Sequence, residues 1–322
     1  MIGFRLCPLA ACLVVFGLVP CAGTAGPPTD PARLAARIDE LLAARWTKAG
    51  VQPARRSDDA EFLRRLHLDL TGKVPTVAEV RRFLADRTAD RRRAVVERLL
   101  AGPGYVSHFA ANWRMLLAPD AENDPGRQAA VAALERWLQK QFADNVPLDR
   151  LARDLLTWPL DETRPGRVDP ASPSPRLFYL GREEKPDELV AATSRLFLGI
   201  RLECAQCHNH PFARWTREQF WSQATFFTGL RRPEKATRTL AIPGTSRKAA
   251  ARFLDGKELP DGTGDARSLL AEWITAPGNP YFARAAVNRL WDHFFGIGLV
   301  DPVDDLSGEN RPSHPELLDE LA

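Results

Sequence analysis

Short helical periods constrain this chain more than any other feature of its sequence. Apolar residues recur three and four positions apart in bounded runs, each bracketed by helix start and stop signals. Thr29-Asp30-Pro31 opens the first run. Leu34, Ile38, Leu41, Leu42 and Trp46 share its face, and Gly50 closes it. Ser57 opens a second, with Phe62, Leu63, Leu66 and Leu70 aligned before Gly72. Thr76-Val77-Ala78-Glu79 is a capping box, in which each end residue's side chain satisfies the other's backbone amide; Val80, Phe83 and Leu84 follow it. Asp90 caps a fourth helix that runs through Leu100. The same period predicts helices near 104–117, 127–143 and 147–157, and over Asp187–Ile200. Thr216-Arg217-Glu218-Gln219 starts another, which buries Phe220, Ala224 and Phe227. Trp113, Trp137, Trp215, Trp221, Trp273 and Trp291 fall at core spacing and need no ligand to explain them.

The fold class that follows is mainly α: a multi-helix orthogonal bundle with long Pro-rich loops, plus the beginning of a second helical domain. The 26 prolines fit many short elements, and residues 158–176 read as one such loop. Periodicity fades from Arg231 to Gly264, where one short strand near Thr239–Ile242 is expected. Helices resume at Ala266–Thr275 and Tyr281–Phe295. The expected division is residues 26–232 as the main helical domain, 233–264 as a connector and 265–322 as the start of a second domain, cut short at Ala322.

Residues 1–25 read as an export signal. One positive charge, Arg5, precedes a 14-residue apolar run from Leu6 to Val19, and the small residues Cys21-Ala22-Gly23-Thr24-Ala25 follow. The run is short for a transmembrane helix, which needs about 20 residues. A lipoprotein reading would use Cys21, but Pro20 fits it poorly. Removing this segment takes one Arg and no acid, leaving 43 basic residues against 41 acidic. So even a balance excludes a nucleic-acid binder that works by charge alone. No later stretch approaches 18 consecutive apolar residues, so no stable membrane insertion is expected after signal removal. The expected location is periplasmic or secreted, in a bacterium. Only Cys204 and Cys207 remain outside the first 21 residues, which excludes a scaffold stapled by several disulfides.

Those two cysteines carry the chemistry. Cys204-Ala205-Gln206-Cys207-His208-Asn209-His210 contains C-x-x-C-H, the attachment signature of c-type haem. Thiols three apart share one face of a helical turn, so both can reach the two vinyl groups of one porphyrin. The next residue, His208, then offers its imidazole to the iron as axial ligand. The leading reading is an exported haem c protein that passes electrons to a redox partner the sequence does not name. Two other readings stand beside it. Cys204, Cys207, His208 and His210 offer two thiolates and two imidazoles to zinc or another transition metal, although four ligands within seven residues are cramped. Alternatively Cys204 and Cys207 form a disulfide. In either case the chain is a secreted binding or assembly module without catalysis. Haem leaves His210 unexplained, and so does a disulfide.

A sixth iron ligand is not evident. Met115 is the only methionine after Met1 and lies upstream of the motif; His67, His108, His293 and His314 each read as ordinary core or surface histidines. The loop Asp120–Gly126 fails as a calcium site, because Pro125 and Val131 occupy its required glycine and glutamate positions. Asp301, Asp304, Asp305 and Glu309 read as turn and capping residues, and Arg91-Arg92-Arg93 as a solvated helix face. The sequence holds no H-E-x-x-H, G-x-S-x-G, Walker or G-x-G-x-x-G motif, and no active site can be argued from it.

Three stretches, FLRRLHLDLTGKVPT, LGIRLECAQCHNHPFARWTREQFW and NPYFARAAVNRLWDHFFGIGLVDPVDDL, together resemble a bacterial family abundant in planctomycetes. It is the second type of planctomycete secreted cytochrome-like domain, typically followed by the first planctomycete secreted domain; both are of unknown function. The resemblance implies a first domain over 30–232 and a partner domain from near Ala266. It implies export, and longer relatives imply association with cytochrome-like or carbohydrate-associated domains, hence a cell-surface or polysaccharide-associated assembly. His210, Pro211, Phe212 and Trp215 match the family's extended motif. The family often has Asp where this chain has Asn209 and Ala213. If that Asp is a metal ligand or orients one, the ion-site reading weakens here.

Overall fold

The structure is a computed structural model, and it describes residues 30–160, 169–231, 237–259 and 265–322. The expected export signal and residues 161–168 of the expected loop lie outside those ranges, as do the two ends of the expected connector.

The fold is mainly α. In chain order the helices are α1 (Pro31–Ala49), α2 (Asp59–Thr71), α3 (Val77–Ala85), α4 (Arg91–Leu100), α5 (Pro103–Leu117), α6 (Gln128–Ala143), α7 (Leu148–Leu156), α8 (Leu177–Leu180), α9 (Pro186–Thr193), α10 (Arg217–Ala224), α11 (Ala266–Ile274), α12 (Phe282–Phe295) and α13 (Pro315–Leu321). Their ends follow from local chemistry. Asp30 accepts from the Ala32 amide at the start of α1, and Gly50 and Gly72 take left-handed conformations that close α1 and α2. The cap of α2 is Asp58 rather than Ser57: its carboxylate accepts from the Glu61 amide at 2.9 Å. Thr76 and Glu79 form the full capping box of α3.

Three apolar clusters organise the helices. The smallest two are local. Leu63, Leu70, Phe83, Val95, Leu99 and Phe109 join α2 through α5. Leu299, Val300, Leu317 and Leu318 pack with Ile38, Leu41 and Leu42 of α1, so the last helix closes on the first. The largest cluster runs from α5 through α11. Leu134, Leu138, Leu155, Phe178 and Phe220 are fully buried in it, and burial of each such side chain contributes roughly 1.5–3 kcal/mol. Helix α8, which begins just after the expected loop 158–176, contributes Tyr179. Its hydroxyl reaches the carbonyls of Leu155 (2.8 Å) and Leu156 (2.9 Å), the last carbonyls of α7 that helix geometry leaves unpaired.

Two expectations change. The helix expected over Asp187–Ile200 is α only to Thr193; Ser194–Leu198 widen into a π turn that Gly199 ends at φ +63°. The reason lies outside the segment. A Cβ on Gly199 would stand 2.8 Å from Leu306 and 3.2 Å from Ala285, and the Gly199 carbonyl accepts from the Leu306 amide at 2.7 Å. The chain after α12 therefore docks on this turn. Secondly, the expected connector is a packed element. Strands β1 (Thr239–Ala241) and β2 (Lys248–Ala250) pair antiparallel, with Leu240 opposite Ala249, and lie on α10. Ile242, Ala249, Ala251, Leu254 and Leu259 join the same apolar cluster as α5 through α10, and so do Leu270 and Ile274 of α11.

Candidate functional site

The C-x-x-C-H segment leaves the π turn through Arg201 and enters a short 3₁₀ turn, Leu202–Ala205. Leu202 and Ala205 point into the core with no exposed surface. Cys204 and Cys207 lie on the other side, both exposed and both free thiols. A 3₁₀ turn eclipses positions three apart, so the inward pair Leu202 and Ala205 forces Cys204 outward; Cys207 lies in the turn residues that follow.

The backbone of the turn is held from several sides. The Gln206 carbonyl accepts from Trp221 Nε1 at 3.1 Å and from Arg217 Nε at 3.2 Å, and Gln206 Nε2 donates to Asp187 at 3.0 Å. Asn209 Oδ1 accepts from the Arg217 amide at 3.0 Å, capping the first turn of α10 alongside the Thr216–Gln219 box. Asparagine and aspartate offer that oxygen equally, so the Asn at this position keeps the cap. Arg201 Nε donates to Asp304 at 2.8 Å, and Asp304 also pairs with Arg195 at 3.4 Å. Asp304 is thus a clamp on the motif as well as a turn residue, in the turn that the Asp305 amide closes on the Pro302 carbonyl. The expected solvated face at Arg91 and Arg92 is likewise a clamp, since both guanidiniums hold Asp59.

The two motif histidines are set up in opposite ways. His208 Nδ1 lies 2.7 Å from the Asn209 carbonyl. A carbonyl only accepts, so Nδ1 carries the hydrogen and the Nε2 lone pair faces outward, free to bind a metal. His210 Nδ1 instead accepts two amides, from Phe212 at 3.1 Å and Ala213 at 2.9 Å. Its neutral ring then carries hydrogen on Nε2, which removes that nitrogen as a ligand. His210 N also donates to the Trp215 carbonyl at 2.8 Å, so His210 ties a tight loop whose anchor is the buried Trp215. This accounts for a histidine that neither haem nor a disulfide explains. The four-donor arrangement of Cys204, Cys207, His208 and His210 is not assembled. Among the described residues no three His, Cys, Asp or Glu side chains stand together as a metal-binding group.

Cys207 and His208 line a concavity of about 460 Å³ with Asn209, Thr216, Arg217, Glu218, Ile242, Thr245 and Arg247. Its lining mixes polar and apolar surface. Met115, His67, His108, His293 and His314 are not among its lining residues. His67 is buried in α2; His108 and His293 contact one another across α5 and α12, with ring centroids 5.9 Å apart. The donor set suits a thioether-linked haem: two accessible thiols on one side of a turn and an imidazole with its Nε2 lone pair free. Arg217 and Arg247 are already engaged there, Arg217 by the carbonyls of Gln206 and Pro243 and Arg247 by Glu218. A macrocycle held there would stand largely in water rather than in an apolar pocket.

The family profile for PSCyt2, described as a protein of unknown function (DUF1549), matches residues 37–232. The chain belongs to the PSCyt2 family. Residues 266–322 match a second profile, PSD1, also described as a protein of unknown function (DUF1553). The PSCyt2 match covers the π turn, the C-x-x-C-H turn and the His210 loop; the Asp304 clamp comes from the PSD1 match. Comparison with curated proteins and with solved structures finds no match. No described helix is long and apolar enough to cross a membrane. Sequence reasoning missed Asp304 and Asn209. The first has no local signal, whereas the second stands seven residues before Thr216, too far for any capping pattern to include it.

Proposed function

We propose that this PSCyt2 chain is an exported protein that carries a solvent-exposed c-type haem and transfers single electrons. The observation that carries the reading is the His208 hydrogen bond: its Nδ1–H is committed to a backbone carbonyl, as second-shell orientation of a metal-binding imidazole requires. Cys204 and Cys207 supply the thioether sulfurs, and His208 Nε2 supplies an axial ligand. Bound there, a haem supplies a one-electron couple close to the surface, where a redox partner can approach. The protein's part is to hold three donors on a turn clamped by Trp221, Arg217 and Asp304.

The test is expression with an export signal in a host with a working haem-attachment system. A pyridine haemochrome spectrum and a haem stain that survives denaturing electrophoresis are expected, both lost in Cys204→Ser/Cys207→Ser. A colourless wild-type protein ends the proposal. The exposure of both thiols favours a second reading, in which the same turn serves a secreted assembly module through a transition metal such as zinc that draws Cys204, Cys207 and His208 together on binding, or through a Cys204–Cys207 disulfide. Colourless protein carrying one zinc per chain, or no free thiol, supports it.

A further inference from the structure

Away from the motif, a hollow of about 430 Å³ opens between α5, α6, α7 and α12. Pockets for small organic ligands span roughly 300–1,000 Å³ and are lined mainly by apolar and aromatic side chains with a few polar groups. This hollow has that composition. Phe109, Trp113, Phe142, Leu151, Phe197 and Phe282 form its walls. Its polar groups are few, and one of them is charged: Arg289.

Arg289 is the informative residue. Its Nη2 donates to the Arg195 carbonyl at 3.3 Å, and among the described residues no carboxylate lies within ion-pair range of it. A guanidinium carries five donor hydrogens, so most of its capacity is unspent. Burial pushes its pKa below the ordinary value, and the acids that oppose this, Asp304 and Asp292, act only at a distance. A cation that stays charged while losing water gains from an anion brought to it. Arg289 also stands at a junction. With Leu116 and Leu196 it lines a second, charged cleft of about 560 Å³, where Arg127, Arg182 and Arg195 stand among Asp120, Asp187, Glu188, Glu203 and Asp304. Apolar walls thus lead directly to a cleft of mixed charge, in which Arg289 is the guanidinium shared with the hollow.

We propose that this hollow binds a small amphipathic anion, its apolar body among the aromatic walls and its anionic group on Arg289. The site joins residues of both family matches, since Phe282, Ala286 and Arg289 belong to the second and Phe109, Trp113, Phe142, Leu151 and Phe197 to the first. It is independent of any haem at Cys204 and Cys207.

Octanoate, octan-1-ol and octylammonium share one body and differ in head charge, which makes them suitable probes. Titration calorimetry on the whole chain is expected to give saturable binding of one octanoate, with octylammonium at least about tenfold weaker, as a charge-assisted hydrogen bond implies. Arg289→Gln lowers octanoate affinity to the level of octan-1-ol, while Arg289→Lys retains most of it. Ala286→Trp, which fills the hollow, removes binding of all three probes. Circular dichroism confirms that each variant keeps its helices, and the lysine variant serves if the glutamine variant does not fold. Absence of saturable octanoate binding overturns the proposal. So does equal affinity for octanoate and octylammonium, or octanoate binding that persists undiminished in Ala286→Trp.

Discussion

Asp304 accepts from Arg201 Nε at 2.8 Å across 103 positions of sequence. Arg201 is the residue immediately before the 3₁₀ turn that presents Cys204. The pair therefore makes the geometry of the thiols depend on the chain that follows α12. The Asp304 side chain is only 15% exposed and Arg201 40%, so the pair is screened less than a surface pair. Asp304→Ala is expected to cost about 1 kcal/mol of global stability. Its sharper effect is local: amide hydrogen exchange over 202–210 accelerates while that of α6 does not. Unchanged exchange in that stretch would show that Trp221 and Arg217 suffice.

Asn288 is fully buried and fully used. Its Nδ2 donates to the carbonyls of Val300 at 2.8 Å and Val303 at 3.1 Å, and its Oδ1 accepts from the Val300 amide at 2.9 Å. Asn288→Leu strands these backbone groups away from water, and Asn288→Asp loses the donor to two carbonyls. Each is expected to cost roughly 2–4 kcal/mol, read as a shift in the urea unfolding midpoint. A shift below a quarter of that range would mean that water replaces the side chain.

Stability should fall as pH drops from 7 toward 5. Burial lowers the pKa values of His67, His108 and His314 below 6.5, with His293 adding to the effect at His108. Below about pH 6.5 the unfolded chain therefore binds more protons than the folded one, and stability is lost until the folded values are reached. Above that pH these groups contribute no slope. His67, 4% exposed with Nε2 unpartnered, is the cleanest probe: His67→Leu should flatten the slope between pH 7 and 5 and leave stability at pH 7 equal or higher. Carboxylates such as Asp59 and Glu79, whose pKa values are lowered by hydrogen bonds from arginines and from Thr76, add a further loss only below about pH 4.5. An unchanged slope in His67→Leu between pH 7 and 5 would assign the effect elsewhere.

Haem attached at Cys204 and Cys207 should have no methionine ligand. Met115 is 51% exposed and lines the charged cleft, not the concavity of His208. Met115→Ala is expected to leave the visible spectrum and the midpoint potential unchanged. That potential should lie below the range of His/Met cytochromes, since methionine ligation and burial both raise it. A sulfur–iron absorption band that is lost on Met115→Ala would contradict this, because no such band should be present.

The helices were legible in the sequence because their signals are local. The Thr76–Glu79 and Thr216–Gln219 boxes, Gly50 and Gly72 each act within four residues, and each stands where the spacing placed it. The features that escaped are those set by distant partners. Gly199 ends a π turn because Leu306 and Ala285 crowd it. The strand expected near Thr239–Ile242 stands as β1, but its partner β2 and the packing of the pair on α10 are set by distant residues. At the motif, the residue types were readable but the division of labour was not. His208 and His210 look equivalent in sequence; a carbonyl facing one and two amides facing the other make them opposite in kind.

The pairing of α1 with α13 has a consequence for the order of assembly. No residue of α1 is buried on its own account, and its stripe Ile38, Leu41 and Leu42 meets Leu317 and Leu318. Arg37 reaches Glu320 at 3.2 Å to complete the contact. During synthesis α1 must therefore wait, undocked, until the segment around 315–321 has emerged. An early-exposed stretch seeking a late partner is where a chaperone or protease would find this protein first.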